Sequence, residues 1–557
     1  MCGIAGVIDD ASSSSILKPL VRKMTNSISH RGPDSEGFFV RDGIGLGMRR
    51  LSIIDLISGE QPIYNEDQSV VVVYNGEIYN YLELRKQLIK RGHKFATNSD
   101  TEVLVHLYEE YDEECTHHLR GMFAFAIWDK VKRKIFIARD RLGVKPLYYT
   151  HSENRLIFAS EIKAILQHPD IEARPNNRGL SNFLSLKYVP APQTMFEGIY
   201  ALPPGYTLSF DNKKGLDIYQ YWDISFRDDN KADKTEQEYC DQLEALLKEA
   251  VQIRLMSDVP FGAFLSGGVD SSTIVALMSH FLDEPVKTFS VGYKDEGKEL
   301  SELPYARLVA QKYNTDHHEI LVSAQDFINL AEKVVWHLDQ PIADQAALAT
   351  YMLSDYASNH VKMVLTGEGG DELFAGYARY AGERFSPLFQ HIPGSLKKTA
   401  LAMSEYIPGL RRPKLALYAF CQKDELSRYT NWFPLANDAV KATLLTDDFK
   451  NELGNISASA AFAEHLERTD AIDSINRMLY VDSKLWLPDD LLARGDKTSM
   501  AASIEARVPI LDHKLVEFSA SLPVHLKLNR LKRKYLLREA SKKWLPPEII
   551  KKKKKGF

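Results

Sequence analysis

The chain has 557 residues, of which 44% are hydrophobic, and its 70 basic and 75 acidic side chains give a formal net charge of -5. This length predicts two or more domains, and the charge balance argues against a nucleic-acid-binding protein or one that binds a membrane surface. The longest apolar runs are too short to span a bilayer, and the N-terminal residues do not resemble a signal peptide. The four cysteines are scattered without metal-ligand spacing, which favours a reducing, cytoplasmic location.

Short apolar runs bounded by turn residues predict a β-rich first half of the chain. These runs lie at residues 38–40, 70–74, 123–128, 135–139 and 156–159. A helix is predicted to begin after the capping residue Asn80 and to end at Gly92, and two sheets covered by helices fit this order. The polar, charged stretch at 226–238 predicts a linker between a domain at 1–225 and a second domain at 239–557.

Beyond the linker, helix and strand patterns alternate, which predicts a doubly wound parallel sheet. Strands are expected at 259–265, 286–293 and 317–322, and helices at 241–258, at 272–282 and up to residue 312. From about residue 380 the pattern is mostly helical. We interpret the lysine-rich end at 551–557 as a solvated helix end or loop. Since the sequence stops abruptly on an apolar residue there, we expect a further C-terminal segment.

The most specific motif is LSGGVDSS at residues 265–272, between a predicted strand and a predicted helix. Its two glycines let the backbone approach a ligand, its three serines offer hydroxyl donors, and the helix N-terminus attracts anions. Asp270 can hold a Mg²⁺ ion that bridges phosphates. The loop resembles that of pyrophosphatase-type enzymes, which cleave ATP to AMP and pyrophosphate. The glycines and serines are Ser266, Gly267, Gly268, Ser271 and Ser272.

A second acidic loop, LTGEGGDELFAGY, follows another predicted strand. It places Glu368 and Asp371 at the carboxyl edge of the parallel sheet, where such folds bind ligands. Asp371 could join Asp270 in holding one or two Mg²⁺ ions, and the plainer alternative is a helix-capping aspartate. In a third segment, at 491–512, Lys497 could stabilise the charge on a reacting phosphate, although composition alone favours a solvated lysine.

Cys2 directly follows the initiator methionine, and we expect removal of that methionine to leave a free α-amine on the cysteine. One residue would then supply both nucleophile and general base, and attack on an amide would release ammonia and leave a thioester. Asn75 and Gly76 are candidate donors to the oxyanion. Arg50 and Asp100 could hold the carboxylate and ammonium of an amino acid, here glutamine. Taken singly, each of these residues could equally be a loop polar group or a salt-bridge partner.

Seven motifs of the first half resemble the glutaminase domain of class II glutamine amidotransferases. With LSGGVDSS, LTGEGGDELFAGY and SIEARVPILD, the whole chain resembles the glutamine-hydrolysing asparagine synthetases of the bacterial B type. The resemblance implies an N-terminal-nucleophile αββα sandwich, a parallel-sheet ATP-pyrophosphatase domain with a helical C-terminal part, and an ammonia tunnel between the two sites. It implies ATP and Mg²⁺ as cofactors, glutamine, aspartate and ATP as substrates, and no nucleic-acid or membrane partner, and it allows a homodimer. The seven motifs are MCGIAG, HRGPDSEG, RRLSIID, YNGEIYN, TNSDTE, GMFAFAIWD and RDRLGVKPLYY.

The resemblance also implies roles for matching residues, with Cys2 as the nucleophile. The implied glutamine-binding residues are Arg50, Asn75, Gly76, Glu77 and Asp100. The implied ATP-binding residues are Leu265, Ser266, Gly267, Gly268, Asp270, Ser271, Ser272, Val291, Thr366 and Gly367, the implied Mg²⁺ ligands are Asp270 and Asp371, and Glu368 and Lys497 would act on the adenylate.

Two alternatives to asparagine synthesis remain open. The same chemistry could amidate another carboxylate, such as a cell-wall or surface-polysaccharide precursor, because the acceptor cannot be inferred from DQPIADQAAL at 339–348. Alternatively, the protein could be a glutaminase whose second domain only senses nucleotide. The acidic residues and lysine of the second half argue against that alternative.

Overall fold

The first domain is a four-layer αββα sandwich. The computed structural model describes residues 2–211, 213–227, 234–294, 301–405, 411–432, 434–453 and 459–552. The strands of the first domain are β1 (Cys2–Asp9), β2 (Ser35–Arg41), β3 (Ile44–Arg50), β4 (Ile63–Tyr64), β5 (Val70–Ile78), β6 (Gly121–Asp129), β7 (Lys134–Arg139), β8 (Tyr148–Ser152), β9 (Arg155–Ala159), β10 (Tyr200–Ala201), β11 (Tyr206–Asp211) and β12 (Gly215–Gln220). They form two six-stranded sheets, in the orders β10-β8-β9-β1-β3-β2 and β12-β11-β7-β6-β5-β4.

Helices cover both outer faces of the two sheets. Alternate side chains of the sheets, such as Ile4 and Val71, meet in the core between them. On one outer face Leu17, Val21 and Met24 of the first helix are fully buried, at helical spacing. The helices are α1 (Ser14–Asn26), α2 (Tyr81–Arg91), α3 (Glu102–Tyr111), α4 (Ile162–Ile165) and α5 (Asn177–Leu186), with 3₁₀ turns at Ser29–Arg31 and Asp112–His118.

The second domain is built on the predicted parallel sheet, whose strand order is β15-β14-β13-β16-β17. Neighbouring strands pair in parallel at every step, so their carboxyl ends share one edge. A separate hairpin joins the last two strands. The strands are β13 (Phe261–Phe264), β14 (Lys287–Tyr293), β15 (Asp316–Val322), β16 (Met363–Leu365), β17 (Glu505–Arg507), β18 (Leu528–Asn529) and β19 (Lys532–Arg533).

Helices make up most of the rest of the second domain, as predicted from residue 380 onward. They are α6 (Glu236–Gln252), α7 (Val269–Phe281), α8 (Leu303–Tyr313), α9 (Ala324–Leu338), α10 (Ala346–Ala357), α11 (Gly370–Leu373), α12 (Ala378–Glu383), α13 (Ser386–Gln390), α14 (Gly394–Glu405), α15 (Arg411–Cys421), α16 (Glu425–Asn431), α17 (Asp438–Leu444), α18 (Asp447–Leu453), α19 (Ser459–Arg468), α20 (Ser474–Lys484), α21 (Ala493–Met500), α22 (His513–Ser521), α23 (Val524–Lys527), α24 (Tyr535–Ser541) and α25 (Pro547–Lys551). A π-helical turn lies at Leu487–Leu492 and a 3₁₀ turn at Pro509–Leu511.

The predicted boundaries differ from the observed ones mainly around α6. This helix begins at Glu236, because Thr235 and Glu238 form a reciprocal capping box. The last three residues of the predicted linker are therefore helical, while 228–233 lie outside the described residues. The helix ends at Gln252, six residues before the predicted end. Gly92 ends α2 with φ of 108°, as expected for a glycine cap.

The two domains share one continuous core, which joins side chains such as Tyr79 and Met122 to Leu511 of the second domain. No helix within the described ranges is long and apolar enough to cross a membrane.

Candidate active sites

Cys2 is the first residue of β1, an inner strand of its sheet, where it pairs directly with Arg50 of β3. It is buried, with 6% of its surface exposed. Its backbone nitrogen donates to Asn75 Oδ1 at 3.0 Å. Burial raises the pKa of the thiol, and the positive charge of Arg50 only partly opposes this. The thiol therefore needs a nearby base before it can attack.

Asn75 and Gly76 lie on β5, beside the cysteine. Asn75 Oδ1 accepts from the Cys2 backbone nitrogen. The Nδ2 of the same Asn75 side chain is buried and has no hydrogen-bond partner among the described residues. An unpaired buried donor costs free energy unless a ligand satisfies it. At Gly76 any Cβ would lie 2.2 Å from the Met122 carbonyl oxygen, so only glycine fits against β6. Donation from Asn75 Nδ2 to an oxyanion formed at Cys2 stays a prediction, and the unpaired Nδ2 is compatible with it.

Arg50 and Asp100, the two residues predicted to bind the amino acid, are each held by hydrogen bonds to neighbouring groups of the protein. The Arg50 guanidinium donates through Nη2 to the carbonyl oxygens of Ile54, at 3.1 Å, and of Asp55, at 2.7 Å. Asp100 Oδ2 accepts from Tyr74 Oη and from the Ile78 backbone nitrogen, both at 2.9 Å. These contacts fix the orientation of Arg50 and Asp100 before any substrate arrives.

Sequence reasoning missed two polar residues of this site. Gln61 Nε2 lies 4.0 Å from Cys2 Sγ, and Gln61 Oε1 accepts from the Tyr74 backbone nitrogen at 2.7 Å. The hydroxyl of Tyr74 holds Asp100. Gln61 lies outside the seven motifs, and Tyr74 begins YNGEIYN without having been given a role there, so only the fold shows their contacts in the site.

Glu77 contacts the second domain directly. Its Oε2 accepts from Arg507 Nη2 at 2.9 Å, and both side chains are buried. Burial and the nearby Asp100 raise the pKa of Glu77, while Arg507 opposes that shift. Glutamine binding by Glu77 stays a prediction; its observed contact joins the two domains.

The predicted phosphate loop connects β13 to the N-terminus of α7. Gly267 has φ of 67° and packs against the backbone of α8, where a Cβ would lie 2.5 Å from the Ala306 nitrogen. Ser271 Oγ lies 3.0 Å from Ser266 Oγ, which shapes the turn. The Ser272 hydroxyl is buried without a hydrogen-bond partner in the described residues. The loop thus has the tight turn and the free donor that a phosphate group requires.

The remaining predicted ATP-binding residues lie at the carboxyl edge of the same sheet. Leu265 is buried immediately after β13, and Val291 lies on the neighbouring strand β14. A Cβ at Gly367 would lie 2.5 Å from the Ser271 nitrogen, so the two loops are in close contact. Thr366 donates from its backbone nitrogen to the Arg507 carbonyl oxygen at 2.9 Å.

Asp270 and Asp371 face each other across these loops, as predicted. The ammonium of Lys534 contacts both carboxylates, and its distance to Asp371 Oδ1 is 2.8 Å. Gly370 leaves room for this arrangement, since a Cβ there would lie 2.6 Å from Asp270 Oδ1. Two carboxylates that together bind one cation, here the Lys534 ammonium, are typical ligands of a divalent metal ion. Lys534 was not predicted, because it is distant in sequence from both loops.

Lys552 corrects the interpretation of the lysine-rich end. Its side chain is buried, and its ammonium lies 2.8 Å from Glu302 Oε1. The same ammonium donates to the carbonyl oxygens of Ser266 and Gly267, at 3.4 and 3.3 Å. A solvated state is therefore wrong for this residue, although it fits the exposed Lys551. Residues 553–557 lie outside the described part of the chain.

Glu368 lies at the carboxyl edge of β16, opposite α21. Its Oε1 is 3.9 Å from Arg494 Nη2, and Arg494 Nε is 3.1 Å from Asp344 Oδ2. Burial raises the pKa of Glu368, and Arg494 partly counters this. Arg494 and Asp344 were not predicted as site residues, yet they connect Glu368 to the segment at 339–348.

The structure does not bring Lys497 to the phosphate loop. Its buried ammonium donates to the Leu338 carbonyl oxygen at 2.8 Å and to Asp339 Oδ2 at 3.0 Å. It also lies 4.8 Å from the ring centroid of Tyr148 in the first domain. These contacts do not involve the phosphate loop, and the action of Lys497 on the adenylate stays a prediction. The described lysines that contact the phosphate loop and its acidic partners are Lys534 and Lys552.

Comparison with known proteins decides the family. Residues 1–222 match the model of the glutamine amidotransferase domain, and residues 242–557 match that of asparagine synthase. Asparagine synthetase [glutamine-hydrolyzing] 1 of Bacillus subtilis is 37% identical over 561 residues, covering 100% of this chain and 87% of the relative. The chain belongs to the glutamine-hydrolysing asparagine synthetase family.

Two other relatives of this asparagine synthetase family member also align with the whole of its chain. Asparagine synthetase [glutamine-hydrolyzing] 3 of B. subtilis is 34% identical, again over 100% of this chain and 87% of the relative. Amidase chry2 of Gibberella zeae is 31% identical over 100% of the chain and 88% of its own length. The protein is therefore a two-domain ligase with a glutaminase domain and an ATP-dependent synthetase domain.

Proposed function

We propose that this enzyme converts ATP, L-aspartate, L-glutamine and water to L-asparagine, L-glutamate, AMP and pyrophosphate. The observation that supports this most directly is the connection between the two sites. Glu77 follows the oxyanion donors of the first site and pairs with Arg507, whose carbonyl oxygen accepts from Thr366 of the second site. A glutaminase site and an ATP site that meet through three residues suit the transfer of ammonia from one to the other.

In the glutaminase reaction, Cys2 attacks the side-chain amide of glutamine. Arg50 holds the α-carboxylate of glutamine and Asp100 holds its α-ammonium. The α-amine of Cys2, freed by removal of the preceding methionine, takes the thiol proton, because burial alone disfavours the thiolate. Asn75 Nδ2 and the Gly76 backbone N–H donate to the oxyanion. Ammonia leaves, and water then hydrolyses the thioester.

In the synthetase reaction, the aspartate β-carboxylate attacks the α-phosphorus of ATP and pyrophosphate leaves. The loop at 266–272 binds the phosphates through its N–H and hydroxyl groups. Asp270 and Asp371 would hold Mg²⁺, which neutralises phosphate charge when bound. In the structure, the ammonium of Lys534 contacts the same two carboxylates. Glu368, with its raised pKa, is suited to take a proton from ammonia as the nitrogen displaces AMP from β-aspartyl-AMP.

The shared core supports an enclosed route for ammonia. Apolar side chains of both domains belong to one buried cluster, among them Leu51, Met122 and Leu142 from the first domain. Such packing excludes water, which would otherwise protonate ammonia and let it diffuse away. The path of the tunnel itself stays a prediction.

Replacing the nucleophile tests the two-site proposal. Cys2→Ala should lower glutamine-dependent asparagine synthesis by more than about 10³-fold, because the thioester cannot form. Synthesis supplied with ammonium chloride should continue at the wild-type rate. Loss of both activities in a variant with wild-type circular dichroism would contradict the proposal.

The identity of the acceptor needs a separate measurement. Incubation with ATP, glutamine and aspartate should yield asparagine and pyrophosphate in equal amounts. One relative, 31% identical over the whole chain, is named an amidase, so a second class of acceptor is tested as well. Pyrophosphate release that requires another carboxylate, with none in the presence of aspartate, would favour that second class. Absence of ATP cleavage with every carboxylate would instead indicate a glutaminase with a nucleotide-sensing domain.

A further inference from the structure

Four potential metal ligands converge on the outer side of the glutaminase domain, away from Cys2 on β1. Glu66 lies in the loop between β4 and β5, and His93 directly follows the glycine cap of α2. His106 and Glu109 lie three residues apart on α3 and so share one face of that helix. One nitrogen or carboxylate oxygen from each residue lies within 4.8 Å of the corresponding atoms of the other three.

Four distances within the cluster lie between 3.1 and 3.7 Å, and both oxygens of Glu66 take part in them. His106 Nδ1 lies 3.1 Å from Glu109 Oε2 and 3.4 Å from Glu66 Oε2. His93 Nδ1 lies 3.3 Å from Glu66 Oε1 and 3.7 Å from Glu109 Oε2. Ligands at about 2.0–2.1 Å from a tetrahedral Zn²⁺ ion are separated by about 3.3 Å. The four side chains therefore need little movement to surround one ion.

Both imidazole rings are oriented as in metal sites. Each Nδ1 faces the cluster, while each Nε2 faces a carboxylate behind the ring. For His93 that carboxylate is Glu110, whose Oε1 is 3.1 Å from Nε2. For His106 it is Glu102, whose Oε1 is 3.6 Å from the fully buried Nε2. The hydrogen bond to Glu110 fixes the His93 tautomer that leaves Nδ1 free to bind metal. Glu102 lies behind His106 without a hydrogen bond to its Nε2.

The carboxylates of the cluster are also held in place. Glu66 Oε1 accepts from the Lys94 backbone nitrogen at 2.9 Å, and Glu109 Oε1 accepts from Asn65 Nδ2 at 2.7 Å. Among the ion pairs of the described residues, none joins Glu66, Glu102 or Glu109 to a lysine or arginine. The negative charge here is thus balanced only by histidine protons or by an added cation.

We propose that Glu66, His93, His106 and Glu109 bind one divalent transition-metal ion of the Zn²⁺ class. Two imidazole nitrogens and two carboxylate oxygens suit such an ion better than Mg²⁺ or Ca²⁺, which prefer oxygen ligands alone. Four protein ligands close the coordination sphere, which is typical of a structural site. The ion would fasten the loop after α2 to α3, which begins at Glu102, two residues after the proposed glutamine-binding residue Asp100.

Titration of the full-length protein with Zn²⁺, after dialysis against a chelator, tests this site. We expect one ion per chain by calorimetry and by metal analysis. Co²⁺ should give the visible bands of a tetrahedral site without the near-ultraviolet absorption of a cobalt–thiolate bond, which separates this site from Cys2. His93→Gln and Glu66→Gln, both at partly exposed positions, should abolish this binding.

Two further variants refine the test. Glu110→Gln should weaken binding by about tenfold or more, because the carboxylate only orients His93. His117→Gln is the matched control, since His117 forms an exposed pair with Glu114 at 3.0 Å and should not affect binding. Absence of Zn²⁺ binding by the wild type, or equal binding by folded His93→Gln and Glu66→Gln proteins, would overturn the proposal. The cluster would then be an ion-pair network only.

Discussion

Arg507 Nη2 donates to Glu77 Oε2 at 2.9 Å and joins β5, which carries the proposed oxyanion donors, to the edge strand of the synthetase sheet. Arg507 also donates through Nη1 to the carbonyl oxygens of Arg254, at 2.9 Å, and Met256, at 2.6 Å. Its Nε contacts Glu505 at 2.5 Å. Every nitrogen of this buried guanidinium therefore has a partner, which is the condition under which a buried charge is tolerated.

Removing this guanidinium should destabilise the whole protein. Arg507→Met leaves two buried carboxylates, Glu77 and Glu505, without their cation, so we expect the free energy of unfolding to fall by about 3–5 kcal/mol. Urea denaturation followed by tryptophan fluorescence measures this change. Arg155→Met, which breaks the partly exposed pair with Asp170, is the control and should cost less than about 1 kcal/mol. Equal effects of the two substitutions would contradict the structural role of Arg507.

The unpaired amide of Asn75 predicts a specific kinetic defect. Asn75→Ala removes an oxyanion donor, so kcat for glutamine hydrolysis should fall by about 10²–10³-fold. KM for glutamine should change little, because Arg50 and Asp100 remain. Ammonia-dependent synthesis by the same variant is the internal control and should match the wild type. A variant that raises KM for glutamine without lowering kcat would indicate that Asn75 binds substrate instead of stabilising the oxyanion.

The contact of Lys552 with the phosphate loop predicts a role in ATP binding. Lys552→Met removes a charged donor to the carbonyl oxygens of Ser266 and Gly267, so the loop should lose order and KM for ATP should rise about tenfold. Initial rates at varied ATP concentration measure this. Lys551→Met changes the exposed neighbour and should leave KM unchanged. An identical KM in both variants would show that the loop keeps its shape without Lys552.

Asp512 predicts an acid-sensitive contribution to stability. Burial would raise its pKa, but Arg254 and Arg120 outweigh this and lower the pKa to about 2. Arg120, from the first domain, donates to both carboxylate oxygens at 2.9 Å. Because the folded pKa lies below the unfolded value of about 3.9, the contribution, about 2–3 kcal/mol, is complete above about pH 5 and is lost as the pH falls through 2.

Asp512→Asn should reveal this contribution. Urea denaturation at several pH values should show the largest difference in unfolding free energy between wild type and variant above about pH 5. The difference should shrink steadily toward pH 2. Asp67→Asn, at an exposed loop position, is the control and should have little effect. A difference independent of pH would show that the hydrogen bonds of Asp512 matter more than its charge.

The sequence predicted those loops whose functional residues are adjacent in the chain. The turn between β13 and α7 and the acidic loop after β16 were predicted because glycines, hydroxyls and carboxylates are adjacent in sequence. Gln61, Lys534 and Lys552 were missed because each reaches its site only through folding. Lys534 lies 264 residues from Asp270. The role of Lys497 stays a prediction, since the resemblance gives the position of this residue in the sequence but not the contacts of its side chain.

The position of Cys2 on an inner strand has a consequence for the order of events during biosynthesis. β1 pairs with β3 on one side and with β9, at residues 155–159, on the other. At about 5–20 residues per second, the ribosome needs roughly 8 to 30 s to extend the chain from residue 10 to residue 159. Cotranslational removal of the initiator methionine, which the proposed mechanism requires, would precede the pairing of β9 with Ala5–Asp9. The proposed mechanism thus links the activation of Cys2 to the order in which the strands of this sheet are completed.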